Sequence, residues 1–233
     1  MTEMHVVALA RAPEVRAGDD LAALLLESAT FDDGDIVVIA SKVVSKAEGR
    51  AVVGRDRTEV ISEETVEVVA RRGDLQIART RHGLVMAAAG VDASNVEANT
   101  LLPLPTDPDA SARRVRATLM HRTGTRIAVV ISDTAGRPWR KGQTDIAIGV
   151  AGLTPIVDLA GARDLHGNEL RVTAPAVADE IAGAAELVMG KAAGTPFARV
   201  RGLTHLVTVE DGPGAASIVR EVEDDLFRFG SLS

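Results

Sequence analysis

Ile127-Ala128-Val129-Val130-Ile131-Ser132-Asp133-Thr134-Ala135-Gly136-Arg137-Pro138-Trp139-Arg140-Lys141-Gly142-Gln143-Thr144-Asp145 is the stretch on which the reading of this chain turns. Its first five residues are all apolar and mostly β-branched, which makes residues 126–132 the strongest strand in the sequence. That strand delivers an acid and a hydroxyl, Asp133 and Thr134, at its C-terminal end. A glycine turn, Arg137, Arg140, Lys141 and the only tryptophan follow. Loops at strand ends of mixed sheets are where ligands usually sit. An Asp–Thr pair there can hold Mg²⁺, with waters and phosphate oxygens completing the shell. The two arginines and Lys141 can meet anionic groups, the arginines by bidentate hydrogen bonds. The plain alternative is a capped turn with solvated charges, under which Asp145 is only a turn residue.

Outward from this strand the pattern alternates. Met4–Leu9 and Ile36–Ala40 read as strands, the second buried and bounded by the Asp32-Asp33-Gly34-Asp35 turn. Asp19 or Asp20 caps a helix through Leu26. Ser62-Glu63-Glu64 is expected to open a helix to about Arg72, its acids suiting the positive helix end. Pro103–Asp109 is a connection, Asp109–Arg122 a helix with basic residues on one side, and Pro175–Ala193 a helix closed near Gly194. Phe197–Val200 is a short strand, and Asp211-Gly212-Pro213-Gly214 starts a further loop and helix. Strands and helices mix without a strict βαβ rhythm, so α+β and α/β stay equally open at this point.

Composition narrows the function. The chain has 233 residues, 46% of them hydrophobic and 25% charged, as in an ordinary globular protein. With four Phe, one Trp and no Tyr, it lacks the stacking platforms of base-reading modules. A net charge of −7 argues against general binding to a phosphate backbone, so nucleic acid is not an expected partner. The absence of cysteine excludes disulfides, thiol catalysis and Cys-based metal sites. No apolar stretch approaches the ~20 residues of a membrane span, and residues 1–15 do not read as a signal peptide. A cytoplasmic protein without a membrane partner is the expectation. There is no Walker loop, no Gly-x-Gly-x-x-Gly after a strand and no Gly-x-Ser-x-Gly elbow. The five histidines have no metal-binding spacing, and His166 lies in plain turn composition, Asp164-Leu165-His166-Gly167-Asn168.

Two further segments stand beside the first. Ser41-Lys42-Val43-Val44-Ser45-Lys46 follows the buried strand directly. A helical turn there would put Lys42 and Lys46 on one face, a phosphate cradle with Ser41 and Ser45. Gly90-Val91-Asp92-Ala93-Ser94-Asn95 sets an acid and an amide among small residues, so Asp92 is a second candidate metal carboxylate. An exposed basic edge and an Asx turn are the bland alternatives. Carboxylates alone hold a hard cation and basic loops alone hold an anion. Both are needed where Mg²⁺ bridges phosphates during phosphoryl transfer.

These segments, together with Gly142-Gln143-Thr144-Asp145, Ala178-Asp179-Glu180-Ile181-Ala182 and Asp225-Leu226-Phe227, resemble the coenzyme F-420-0:L-glutamate ligases, or γ-glutamyl ligases, in order from about residue 4 to residue 230. The resemblance implies an enzyme that attaches L-glutamate to coenzyme F-420-0. GTP phosphorylates the terminal carboxylate of the precursor, the glutamate amine attacks the acyl phosphate, and GDP and phosphate are released; further rounds extend a γ-linked tail. It implies Asp92, Asp133 and Thr134 as ligands of Mg²⁺ or Mn²⁺, with Asp133 catalytic through the metal. Ala12, Pro13, Glu14, Val15, Ser41, Lys42, Lys46 and Asn95 would bind the nucleotide. Some relatives carry an acid where Lys191 stands; a lysine cannot coordinate Mg²⁺, so a second metal here would need another ligand. Arg137, Arg140 and Lys141 are our additional candidates for contacts to the acceptor substrate.

The resemblance also decides for α+β: mixed sheets with flanking helices, a single γ-glutamyl ligase unit over residues 1–233 with room for two closely packed subdomains, forming a homodimer. No C-terminal nitroreductase-like domain, as found in some relatives, is expected. Two other functions stay open on the residues: a nucleotide-dependent amide ligase acting on another carboxylate, and a nucleotide-binding protein without turnover. The choice of GTP over ATP rests wholly on the resemblance, since no Asn-Lys-x-Asp signature is present.

Overall fold

The computed structural model describes residues 3–94, 96–225 and 227. Its centre is a five-stranded mixed sheet in the order β1-β10-β2-β8-β9, built from β1 (His5–Ala8), β2 (Ile36–Ala40), β8 (Ala128–Gly136), β9 (Gln143–Ala151) and β10 (Phe197–Arg201). Only β2 and β8 pair in parallel. Both faces of that pair are covered. Val37, Ile39, Val129 and Ile131 turn to one face, against α1 (Leu21–Ser28) and α4 (Pro108–Thr123). Ile36, Val38, Ala128 and Val130 turn to the other, against α5 (Val177–Met189). This is why both strands are continuous apolar runs rather than alternating ones. The architecture is α+β, mixed sheets with flanking helices.

Local signals account for the helix ends. Asp20 caps α1, accepting from the backbone N–H of Ala22 and Ala23. Asp107 caps α4, Pro108 opens it, and Gly124 closes it in the left-handed conformation at φ 72. Ser41 and Lys42 begin α2 (Ser41–Ala47) directly after β2.

The crossover from β2 to β8 carries more than helices. It holds a two-stranded sheet, β3 (Val52–Val53) with β7 (Thr100–Leu101), and a three-stranded one, β4 (Thr65–Arg72), β5 (Leu75–Thr80) and β6 (Val85–Ala87). Helix α3 (Arg57–Glu64) and Leu101 close a small separate core with Ala78, Ala89 and Val91. Here the structure corrects the expected helix over 62–72: the helix ends at Glu64 and Thr65–Arg72 is strand. Thr65, Val66, Val68 and Val69 are β-branched and stiff at χ1, and pairing with β5 satisfies their backbone. Two other boundaries move. The strand expected over 126–132 runs on to Gly136, so Asp133 and Thr134 lie inside a hairpin with β9 rather than in a loop. The helix expected to reach Ala193 stops at Met189, because Gly190 (φ 62) turns the chain. No helix among the described residues is long and apolar enough to cross a membrane.

One buried carboxylate ties the layers together. Asp109, at the start of α4, accepts from Val150 N–H on β9 (2.8 Å) and from Ala215 (2.7 Å) and Ala216 (3.1 Å) N–H in the C-terminal segment. Gly214 makes this approach possible: a Cβ there would stand 2.4 Å from the Asp109 carboxylate, at a φ of 82. Asp109→Ala leaves three backbone donors without their acceptor. It is expected to cost about 3–5 kcal/mol of unfolding free energy, read as a lowered denaturation midpoint, whereas Asp109→Asn, which keeps one acceptor oxygen, loses less.

Candidate active site

The parallel register of β2 and β8 sets the site. Ala40 pairs with Ser132, so the next residues, Ser41 and Asp133, emerge side by side. The Ser41 hydroxyl donates to Asp133 Oδ1 at 2.6 Å. One residue on, the Lys42 ammonium lies 2.6 Å from Asp92 Oδ2 and donates to the Ser94 hydroxyl at 2.7 Å. Asp92 is held by an Asx turn, accepting from Ser94 N–H at 2.7 Å, and by a bridge to Leu102. One turn further along α2, Lys46 pairs with Glu14 Oε1 at 2.6 Å. A seven-residue helix therefore brings together three of the segments singled out in the sequence.

Side chains alternate along β8, so Thr134 faces the opposite side from Asp133. There Thr134 stands directly across from Asp145 on β9 and donates to its Oδ1 at 2.8 Å, while Ser132 donates to Oδ2 at 3.2 Å. Lys191, in the turn after α5, reaches Asp145 Oδ1 at 2.5 Å and the Thr134 hydroxyl at 2.6 Å, with Glu186 Oε1 at 3.5 Å. Asp145 is thus a buried strand residue of this cluster, 6% exposed, and not the turn residue of the plain reading. Its role comes from the cross-strand register with Thr134, which no local pattern displays.

The charges influence one another across the hairpin. Burial is the largest effect on the Asp133 carboxyl; the Ser41 hydrogen bond opposes it, the negative charge of Asp145 adds to it, and Lys42 opposes it, leaving the pKa pushed up to about 6. For Asp92, burial raises the pKa, but Lys42 and the Ser94 donors outweigh it and hold the carboxyl below its ordinary value. Asp179, on α5, accepts from Ala147 N–H on β9, and burial pushes its pKa up. A cavity of about 290 Å³ opens beside Ile146 and Ala147, lined also by Arg79, Asp179 and Arg220, so open space adjoins the strand that carries Asp145.

The remaining candidates scatter more. Ala12, Pro13 and Glu14 lie in the loop after β1, where Ala12 N–H bonds Gly194 O at 3.3 Å; Val15 is buried in the core. Arg137, Arg140 and Lys141 form the exposed tip of the β8–β9 hairpin, Arg137 donating to Lys141 O at 2.6 Å. None of these three has a hydrogen bond or ion pair to the acids of the cluster among the described contacts. Asn95, and Leu226 of Asp225-Leu226-Phe227, lie outside the described residues.

Among the described residues no group of three or more His, Asp or Glu side chains is arranged to hold a metal ion. The donors present still fit a hard divalent cation of the kind that takes one or two carboxylates and completes its shell with phosphate oxygens and water. They are hard oxygens only, and the ionised form of Asp133 is disfavoured first by burial and then by the negative charge of Asp145, both of which a bound cation would offset.

Comparison with known proteins gives one consistent answer. Residues 10–202 match the family model described as F420-0:Gamma-glutamyl ligase. A coenzyme F420:L-glutamate ligase of Methanothermobacter thermautotrophicus is 43% identical, covering 93% of this chain and 95% of its own length. The ligases of the same name from Methanopyrus kandleri and Archaeoglobus fulgidus are 42% and 39% identical, over 92% and 93% of this chain and 94% and 93% of their own lengths.

The raised pKa of Asp133 has a consequence for stability. The folded state holds this proton more tightly than the unfolded one between about pH 4 and 6, so ionisation removes stability as pH rises through that window, and the loss is complete above about pH 6. Asp133→Asn removes the charge. Without added metal, the variant is expected to melt above the natural chain at pH 8 and to approach it toward pH 4. The ceiling is about 3 kcal/mol for a shift of this size, reduced by solvent at a half-buried group. Circular-dichroism melts at the two pH values read the difference; a variant that melts lower at pH 8 contradicts it.

Proposed function

This chain belongs to the F420-0:gamma-glutamyl ligase family, and from that premise we propose that it joins L-glutamate to coenzyme F-420-0 with GTP as co-substrate, releasing GDP and phosphate. The observation that carries the reading is the interleaving of acids with lysines at the end of β2 and β8: Ser41 on Asp133 beside Lys42 on Asp92. A binding protein for anions alone has no use for two carboxylates there, and a cation site alone has no use for Lys42 and Lys46.

The chemistry follows from the substrates. A carboxylate is a poor electrophile, so its oxygen first takes the γ-phosphoryl group of GTP, and GDP leaves. The glutamate amine then attacks the acyl carbon, phosphate departs with the bonding electrons, and the amine gives up its proton. Asp133 and Asp92 would hold Mg²⁺ or Mn²⁺, while Thr134, the third expected ligand, faces the other side of the strand, against Asp145 and Lys191. When bound, the metal would supply positive charge to neutralise the phosphate oxygens. Lys42 and Lys46 are poised on one short helix to meet the same oxygens, with Ser41 and the 12–15 loop completing the nucleotide contacts. Arg137, Arg140 and Lys141 remain our candidates for the anionic groups of the acceptor.

We assign the reaction to a homodimer in the cytoplasm. Strand β4 supports the assembly: seven of its eight residues are exposed. Val66, Val69, Leu75 and Val85 leave apolar surface on its sheet, between 44% and 68% exposed. Sedimentation at the mass of two chains is the expected result, reverting to one chain in Val66→Glu/Val69→Glu.

Purified protein with coenzyme F-420-0, glutamate, Mn²⁺ and either GTP or ATP is expected to yield a product heavier by one glutamyl unit, with GTP preferred. Asp133→Asn should lower the rate on the order of 10²-fold or more. Faster turnover of a different carboxylate acceptor would move the reading to a related amide ligase. Nucleotide binding without product would leave only a binding protein.

A further inference from the structure

The face of the β8–β9 hairpin opposite Asp133 carries a second charged centre, and a lysine closes it. The Lys191 ammonium lies against Asp145 Oδ1 at 2.5 Å, the Thr134 hydroxyl at 2.6 Å and Glu186 Oε1 at 3.5 Å. Two carboxylates and a hydroxyl around one point form the all-oxygen set that a hard divalent ion uses. Here a side-chain ammonium holds that point. Gly190, at φ 62, ends α5 and lets the next residue fold back onto the hairpin.

The two centres differ in how deeply their carboxylates are buried, Asp145 at 7% exposed and Asp92 at 38%, while Lys191 itself is 52% exposed and Lys42 27%. The Asp145 side chain is 7% exposed, and removing Lys191 would leave that buried charge unpaired, with Asp133 nearby across the strand. The Asp92 carboxylate is open to water, so losing Lys42 leaves it solvated and another cation can take the place of the ammonium at small cost.

We propose that the Lys191 ammonium is a built-in cation occupying the Asp145–Thr134 position. The chain therefore takes up one divalent ion per site, on the Asp133–Asp92 face, and Thr134 serves the ammonium rather than a metal. This rests on the metal-dependent nucleotide reading above. It makes the positive charge on the α5 face permanent, independent of metal concentration, and leaves metal exchange to the opposite face.

The test counts Mn²⁺ bound per chain with saturating GDP, by equilibrium dialysis and electron paramagnetic resonance, for the natural chain, Lys191→Glu and Lys191→Ala, each checked for folding by its melt. One ion with an isolated six-line spectrum is expected in the natural chain. In Lys191→Glu, which adds an oxygen donor and removes the ammonium, a second ion with spin-coupled broadening is expected, bound more weakly in Lys191→Ala. Two ions in the natural chain overturn the proposal while leaving the nucleotide–metal reading intact, as does an unchanged single ion in Lys191→Glu. No bound Mn²⁺ in the natural chain defeats that reading, and this proposal with it. Should both variants fail to fold, the count in the natural chain decides.

Discussion

The register of one parallel strand pair governs this molecule. Ile36–Ala40 against Ala128–Ser132 is buried on both faces, so a slip by one residue would send each apolar set into the core shaped for the other and mismatch the packing on both sides. The pair therefore has a single alignment. That alignment sets the first residue after β2 beside the first acid of β8. The contact between Ser41 and Asp133, which are 92 residues apart in the chain, is a product of core packing before it is a product of chemistry.

What that alignment assembles is electrostatically uneasy by itself. Asp133 is half-buried with Asp145 nearby, and its carboxyl resists ionisation. The structure tolerates this because each acid is answered separately: Asp133 by a hydroxyl, Asp92 by Lys42, and Asp145 by Lys191 and two hydroxyls. The strand between the two faces acts as a partition, with a solvent-facing carboxylate, Asp92, answered on one side and a sheltered one, Asp145, on the other. A site in which charges approach and depart during a reaction gains from such uneven anchoring, because only one side needs to rearrange.

How much of this is legible in the sequence depends on whether the cause is local. The buried strands announce themselves through unbroken runs of Val and Ile. Helix α4, expected over Asp109–Arg122, is found at Pro108–Thr123, its cap Asp107 and first residue Pro108 lying inside the expected connection. Ser41, Lys42, Asp92 and Asp133 stand out because they follow apolar strands or sit in small-residue loops. Residues whose meaning is made by distant pairing stay hidden. Asp145 looks like the end of a turn until β9 is laid against β8. Lys191 looks like an exposed helix residue until Gly190 breaks the helix. The helix expected over 62–72 fails for a related reason: its acids favour a helix start, but the β-branched residues after Glu64 find a strand neighbour that lies in the next segment.

The order of strands in the central sheet also constrains how the chain reaches its native form. His5 in the first strand pairs with Arg201 in the last, and β2 is flanked by β8 and β10. Neither early strand has a neighbour until synthesis has passed residue 128, and β1 has none until after residue 197. Contacts of such long sequence separation make folding slow and late, with loop closure completed before the sheet contributes its stability. A nascent chain halted before β10 holds two apolar strands with open edges, the state most prone to pair with other chains. Completion of the central sheet therefore waits for β10, and a chain cut before Phe197 should lose solubility before any change in chemistry is seen.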